Sequence, residues 1–139
     1  MSEMANYRYL LDTNILSSLL KQPAGPVASR IAAVGEDLIC TSILVACELR
    51  YGAAKKGVQV LSSRIEELLS AVEVLPLDGD ADKRYAELRT ALERVGTPIG
   101  ANDSLIAAHA LSLGITLVTD NVGEFSRVSG LSVENWLAP

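Results

Sequence analysis

Tyr7-Arg8-Tyr9-Leu10-Leu11-Asp12-Thr13-Asn14-Ile15-Leu16-Ser17-Ser18-Leu19-Leu20 begins as a β-prone apolar run and, after three polar residues, continues as an apolar stretch at helical spacing. Such a segment reads as strand, turn and helix. The succession returns downstream. Leu38 to Thr41 is a short apolar block, and Ser42 is a suitable N-cap for a helix over Ile43 to Lys56 that Gly57 stops. Val74 to Leu77 precedes a helical pattern from Asp78 to Val95, and a helix over Asn102 to Leu113, closed by Gly114, leads into the β-prone Ile115 to Thr119. Short apolar strands without polar alternation, interleaved with helices, imply a mainly parallel sheet covered on both faces. The expected class is α/β, with a central sheet between helical layers.

The remaining pieces fit that frame. Val27 to Val34 is a helix after the Pro23 to Pro26 break, and Val58 to Val72 is an amphipathic helix that forms a hairpin with the one before it. In Asp78 to Val95 the apolar positions Tyr85, Leu88, Leu92 and Val95 share one face, opposite Lys83, Arg84, Glu87, Arg89, Glu93 and Arg94. A length of 139 residues suits one domain over 1–139, with its core at about 7–137. No apolar run approaches a membrane span and no signal peptide is evident, so a soluble, cytoplasmic chain is expected. Cys40 and Cys47 have no zinc-like spacing and read as reduced core thiols.

Four carboxylates stand where surface charge is hardest to justify. Asp12 and Asp120 each follow an apolar strand, Asp103 opens a helix on the stripe of Ile106, Ala107 and Ala110, and Glu48 lies inside an apolar helix with Leu44, Val45 and Tyr51. Each has an ordinary explanation: an N-cap for Asp12, dipole complementation for Asp103, an Asx-turn for Asp120 and a solvated face for Glu48. Together they are more than that. In a parallel sheet, ligands bind at the carboxyl ends of strands, which brings strand-end and helix-start residues into one crevice. Unpaired carboxylates there repel one another, and a hard divalent cation such as Mg²⁺ or Mn²⁺ removes the penalty. Thr13, Asn14, Thr119 and Asn121 are placed to orient these acids, or equally to serve as caps and turn residues. His109, among Ala and Leu, reads as a structural imidazole, and no paired nucleophile or phosphate-binding glycine loop is present.

Four ordered blocks carry a resemblance: Leu10-Leu11-Asp12-Thr13-Asn14; Thr41-Ser42 through Glu48-Leu49-Arg50-Tyr51-Gly52; Pro98-Ile99-Gly100 through Asp103-Ser104-Leu105-Ile106-Ala107-Ala108; and Val118-Thr119-Asp120-Asn121 with Glu124-Phe125 and Arg127. In this combination the chain resembles PIN-domain ribonucleases, and more narrowly the VapC toxins of VapBC toxin-antitoxin systems. The resemblance runs from about Tyr7 to Trp136. It implies a PIN-like fold and a Mg²⁺- or Mn²⁺-dependent endoribonuclease acting on tRNA or rRNA, with Asp12 and Asp103 holding the metal and Glu48 and Asp120 completing the pocket. Reaction would be in-line attack of water on a phosphodiester, the cation stabilising the developing charge. Asp120-Asn121 departs from the Asn-Asn frequent in similar toxins, which leaves both one-ion and two-ion occupancy open. A VapB-like antitoxin, whose carboxy-terminal segment lies over the site, and a homodimer are the implied partners. Arg50, Lys55, Lys56 and Arg64 are candidates for an RNA-binding surface, although each alone reads more simply as solvated helix.

The formal net charge of −5 argues against a broad basic face for nucleic acid, but acids gathered in one cation-binding pocket weaken that objection. A receiver-like signalling domain fits poorly, since it expects adjacent acids after the first strand and a late lysine, whereas no Lys follows Lys83. A PIN fold that binds RNA or protein without catalysis is the other alternative. The complete acidic set speaks against it.

Overall fold

The computed structural model describes residues 6–138. Its sheet has five strands, β1 (Tyr9–Leu11), β2 (Ile39–Ser42), β3 (Glu73–Leu75), β4 (Thr116–Val118) and β5 (Val133–Glu134), arranged β3-β2-β1-β4-β5. Every pairing is parallel, with Leu10 opposite both Cys40 and Leu117. These three side chains are fully buried, as expected where both faces of a parallel strand are covered. That is why the strands read as apolar blocks rather than alternating ones.

Among the described residues seven α-helices flank the sheet: α1 (Thr13–Lys21), α2 (Pro26–Val34), α3 (Ile43–Lys56), α4 (Gln59–Ala71), α5 (Ala81–Arg94), α6 (Ala101–Leu113) and the single turn α7 (Val122–Phe125). Helices α3 and α4 pair as the expected hairpin, and α5 packs against α6. The stop after α3 is Gly57 at φ +67° and that after α6 is Gly114 at φ +69°, left-handed positions that glycine adopts without steric cost. At the far edge of the sheet, the buried Trp136 packs its ring 5.1 Å from that of Tyr9. Among the described residues no helix is long and apolar enough to cross a membrane.

Several expected boundaries move for local reasons. Residues Glu36–Leu38 form a 3-10 turn, so β2 starts at Ile39. Strand β3 ends at Leu75 because Pro76 has no N–H to continue the ladder, and α5 starts only after Gly79 turns the chain at φ +66°. The helix then ends at Arg94, leaving Val95 72% exposed instead of on the buried face. Cys40 is buried as expected, but Cys47 is exposed and is no core thiol. It shares the outer side of α3 with Tyr51, while Val45, Ala46, Leu49 and Ala53 form the buried side.

The topology marks a place for a ligand. From β1 the chain steps outward through β2 to β3, then crosses back to β4 on the other side of β1. Strand order reverses between β1 and β4, and the crevice beyond their carboxyl ends is the switch point where open α/β sheets bind ligands.

Candidate active site

Asp12 stands at that switch point. Its backbone N–H donates to the Val118 carbonyl at 2.9 Å, extending the β1–β4 contact by one residue, while its side chain caps α1. One carboxylate oxygen accepts from the Thr13 N–H and the other from the Thr119 hydroxyl, both at 2.8 Å. The capping role is therefore present. It does not exhaust the residue, because Asp12 is only 7% exposed and lies among other acids. Burial pushes it above its ordinary pKa, the Thr13 and Thr119 hydrogen bonds oppose that rise, and the charges of Glu48 and Asp120 add to it.

The four polar residues expected to orient carboxylates each donate to a different one. Thr119 holds Asp12, the Thr13 hydroxyl donates to Glu48 Oε1, Asn14 Nδ2 reaches Asp120 Oδ1 at 3.0 Å, and Asn121 Nδ2 reaches Glu124 Oε2 at 2.8 Å. Asn102, at the start of α6, adds a second donor to Glu48 at 2.6 Å. Glu48 thus sits on a half-buried edge of α3 with Leu44 one turn before it, while Tyr51 points out to solvent at 67% exposure. The turn after β4 is made by the Thr119 hydroxyl accepting from the Asn121 N–H at 3.1 Å, so Asp120 is not needed for an Asx-turn.

Asp103 differs from these acids. No side-chain amide or hydroxyl donor reaches it among the described residues, and its carboxyl is pushed up to about 7. Burial is the main cause, followed by the Glu124 carboxyl within hydrogen-bonding reach and by the charges of Asp12, Glu124 and Glu48. Glu124 is the member that motif reading left out of the pocket. The helical turn Val122–Phe125 carries it, with Phe125 fully buried as the anchor that aims the turn inward. An acid one residue before a buried aromatic, three residues after the Asn that binds it, was the available signal. Asp120, by contrast, is exposed at the rim and adds to the charge felt by Asp12 rather than Asp103.

His109 is a buried structural imidazole, its Nδ1 2.7 Å from the Ser42 hydroxyl that caps α3. Burial lowers its pKa, and none of the pocket acids is among the groups that shift it. Arg50, one of the candidate RNA-binding cations, makes a two-pronged ion pair with Glu66 at 2.9 Å.

The donor set fits a hard cation in one particular way. All donors are oxygens, and no Lys or Arg is among the groups that shift Asp12 or Asp103. Among the described residues, however, no three His, Cys, Asp or Glu side chains are drawn into a ready-made metal cage. Mg²⁺ does not require one, since it keeps several waters and takes one or two carboxylates plus substrate phosphate oxygens. Asp12 and Asp103 match that need.

Residues 9–131 match the family model described as PIN domain. The chain belongs to the PIN-domain family. Among its PIN-domain relatives, the Ribonuclease VapC2 of Rickettsia felis is 38% identical over 92% of this chain and 97% of the relative. The tRNA(fMet)-specific endonuclease VapC of Shigella flexneri is 36% identical over 93% of this chain and 98% of its own length. Similar solved structures include VapBC2 from Rickettsia felis bound to a promoter DNA fragment, with a TM-score of 0.85 at 36% identity, 92% of this chain and 98% of that one. DNA-bound VapBC from Salmonella typhimurium follows at 0.83 and 34%, covering 94% and 98%.

Proposed function

We propose that the chain is the toxin of a VapBC-type toxin-antitoxin pair, an endoribonuclease that hydrolyses RNA phosphodiester bonds with Mg²⁺ or Mn²⁺. Membership of the PIN-domain family and relatives named as ribonucleases support RNA as substrate, with tRNA first to be tried. The observation that carries the reading is the acidic pocket at the strand switch point. Asp12, Glu48, Asp103 and Glu124 are grouped there, among the described residues none of them forms an ion pair with Lys or Arg, and the chain's own amides and hydroxyls hold three of them in place. A cluster of this kind opposes the stability of the metal-free fold, and a cationic ligand would relieve it.

Asp12 and Asp103 are the residues that would hold the ion. When bound, the ion supplies Lewis-acid stabilisation of charge on the phosphoryl and leaving oxygens. Thr119 and Thr13 keep the Asp12 carboxylate in one orientation, the kind of support whose loss weakens metal affinity. Glu48, fixed by Thr13 and Asn102, and Glu124, fixed by Asn121, both stand beside Asp103 and are the carboxylates available to take a proton from the attacking water. Asp120, tied to Asn14, deepens the negative potential at the rim and is the place where a second ion would attach.

The reaction is assigned to the cytoplasm, to a single domain over 1–139 and to a homodimer restrained by a VapB-like antitoxin. Solved relatives described as VapBC complexes support the partner. Purified chain should cut tRNA or rRNA with Mg²⁺, lose the activity in EDTA and regain it on readdition. Asp12→Ala should be inactive under all three conditions. RNA bound but never cut by clean, folded wild type would instead support a non-catalytic binding module.

A further inference from the structure

A groove leads away from the acidic pocket between α1, α3 and α4. At its pocket end are Thr13 and Glu48, and at the other are Lys21 and Lys56. Each lysine lies eight positions further along the same helix, α1 or α3, as Thr13 and Glu48 respectively. At 1.5 Å rise per residue the groove extends about 12 Å from the acids. Arg64 of α4 lies along its wall and donates to the Leu20 carbonyl at the end of α1. Leu49, Leu61 and Ile65 supply an apolar floor, and the groove holds about 240 Å³.

Charge is distributed unevenly over this chain. Of its twelve Lys and Arg, Arg30, Arg50, Arg84 and Arg89 form ion pairs among the described residues. Lys21, Lys56 and Arg64 are outside those pairs, and Glu48 at the pocket end is the one acid on the groove wall. A larger cavity, about 610 Å³, has the opposite character, with Glu36, Asp37 and Glu73 in its lining. A polyanion avoids that cavity. Gly52, in the middle of α3, gives a second sign that the groove is kept open. Its φ is not positive and an added Cβ would meet nothing within 4 Å, so neither backbone geometry nor packing calls for glycine there. Glycine in a helix interior is otherwise unfavourable.

We propose that this groove carries the single-stranded RNA segment adjoining the scissile bond, with Lys21 and Lys56 on its phosphates and one base on the apolar floor. The acids repel RNA, so cations must begin where the acids end. Single strands are held by cationic tracks beside surfaces that receive unstacked bases, and here that surface is aliphatic with the Arg64 guanidinium beside it. The inference rests on the proposed phosphodiester chemistry for the identity of the strand, and it adds the path that strand follows.

The test uses the full chain as wild type, Lys21→Ala/Lys56→Ala, Gly52→Phe and a charge control, Lys83→Ala on α5. Cleavage of a single-stranded RNA oligonucleotide in Mg²⁺ gives KM and kcat, and binding of the labelled oligonucleotide in EDTA at several salt concentrations gives a salt slope. The double variant should raise KM about tenfold with kcat nearly unchanged and flatten the slope by about 1.4, or 0.7 per lost phosphate contact. Gly52→Phe should raise KM without lowering Tm, and Lys83→Ala should behave as wild type. Unchanged KM and slope in the double variant overturn the proposal, as does an equal effect from Lys83→Ala. Intact RNA binding in both groove variants with weakened capture of a peptide partner makes the groove a protein-docking site instead. If wild type shows no metal-dependent cleavage, the nuclease reading fails separately, and the salt slope in EDTA still decides whether RNA occupies the groove.

Discussion

Asp103→Asn should make the metal-free protein more stable at alkaline pH while removing its nuclease activity. The carboxyl is pushed up to about 7 from an ordinary value of 3.8, chiefly by burial and by Glu124. With its folded pKa above its unfolded one, its contribution is complete below about pH 4, falls as pH rises, and is lost above about pH 7. A gap of about three units corresponds to about 4 kcal/mol at 1.4 kcal/mol per unit. The group is only partly buried, so solvent screening reduces this to on the order of 1–2 kcal/mol. Asparagine has the same shape and never ionises, and its amide can donate to Glu124. At pH 8 in EDTA the variant should melt about 3–8 °C above wild type, and the gap should close towards pH 4. Mg²⁺ should reverse the order, since it stabilises a native state that binds it and the variant lacks one of the two proposed ligands. Thermal scans from pH 4 to 8, with EDTA and with Mg²⁺, test this beside RNA cleavage. A variant less stable than wild type at pH 8 without metal, or one that still cuts RNA at the wild-type rate, refutes the reasoning.

Three further substitutions probe the same pocket. Asp12→Ala should lose cleavage and about 1–3 kcal/mol of stability, because the cap of α1 disappears and the Thr119 hydroxyl loses its acceptor, whereas Asp12→Asn should keep most of the stability; urea unfolding separates the two. Thr119→Val should fold but require more Mg²⁺, with activity at limiting metal down about 10–100-fold, measured by metal titration of cleavage. Glu124→Gln should lower the pKa of Asp103, by removing the carboxyl next to it, and so weaken the fall in metal-free stability between pH 4 and pH 7. Matched thermal scans across that range read the change directly.

The parallel sheet was legible because its strands are buried on both faces, so that Leu10-Leu11, Ile39-Cys40 and Leu117-Val118 appear as unbroken apolar pairs. Helix stops at Gly57 and Gly114 were legible for a backbone reason, the need for left-handed φ. Faces were harder to read. Periodicity counts apolar residues but does not say which of two apolar sides meets the sheet, and Cys47, Tyr51 and Val95 ended up outside. Asp12 and Asp120 could be placed at strand ends from sequence alone, since topology puts every such residue at one edge. Glu124 could not. Its position depends on how the short turn after Asn121 folds back under Phe125 towards Asp103, a long-range packing event with no local signature beyond one acid and one aromatic.

The hydrogen bonds explain why a pocket this acidic can fold before any cation arrives. Thr13, Asn14, Thr119 and Asn121 all lie within three residues of a strand end, where backbone groups leave the ladder and side chains turn toward the crevice. Their positions let them neutralise the hydrogen-bonding demand of Asp12, Glu48, Asp120 and Glu124 without adding positive charge. A lysine or arginine in the same place would stabilise the metal-free fold further, but it would occupy the acids permanently and compete with an incoming ion. Neutral donors avoid that conflict: they fix the geometry and leave the charge uncompensated. The repulsion left over falls on Asp103, the acid without such a donor, and that residue is accordingly where cation binding and proton binding compete most directly.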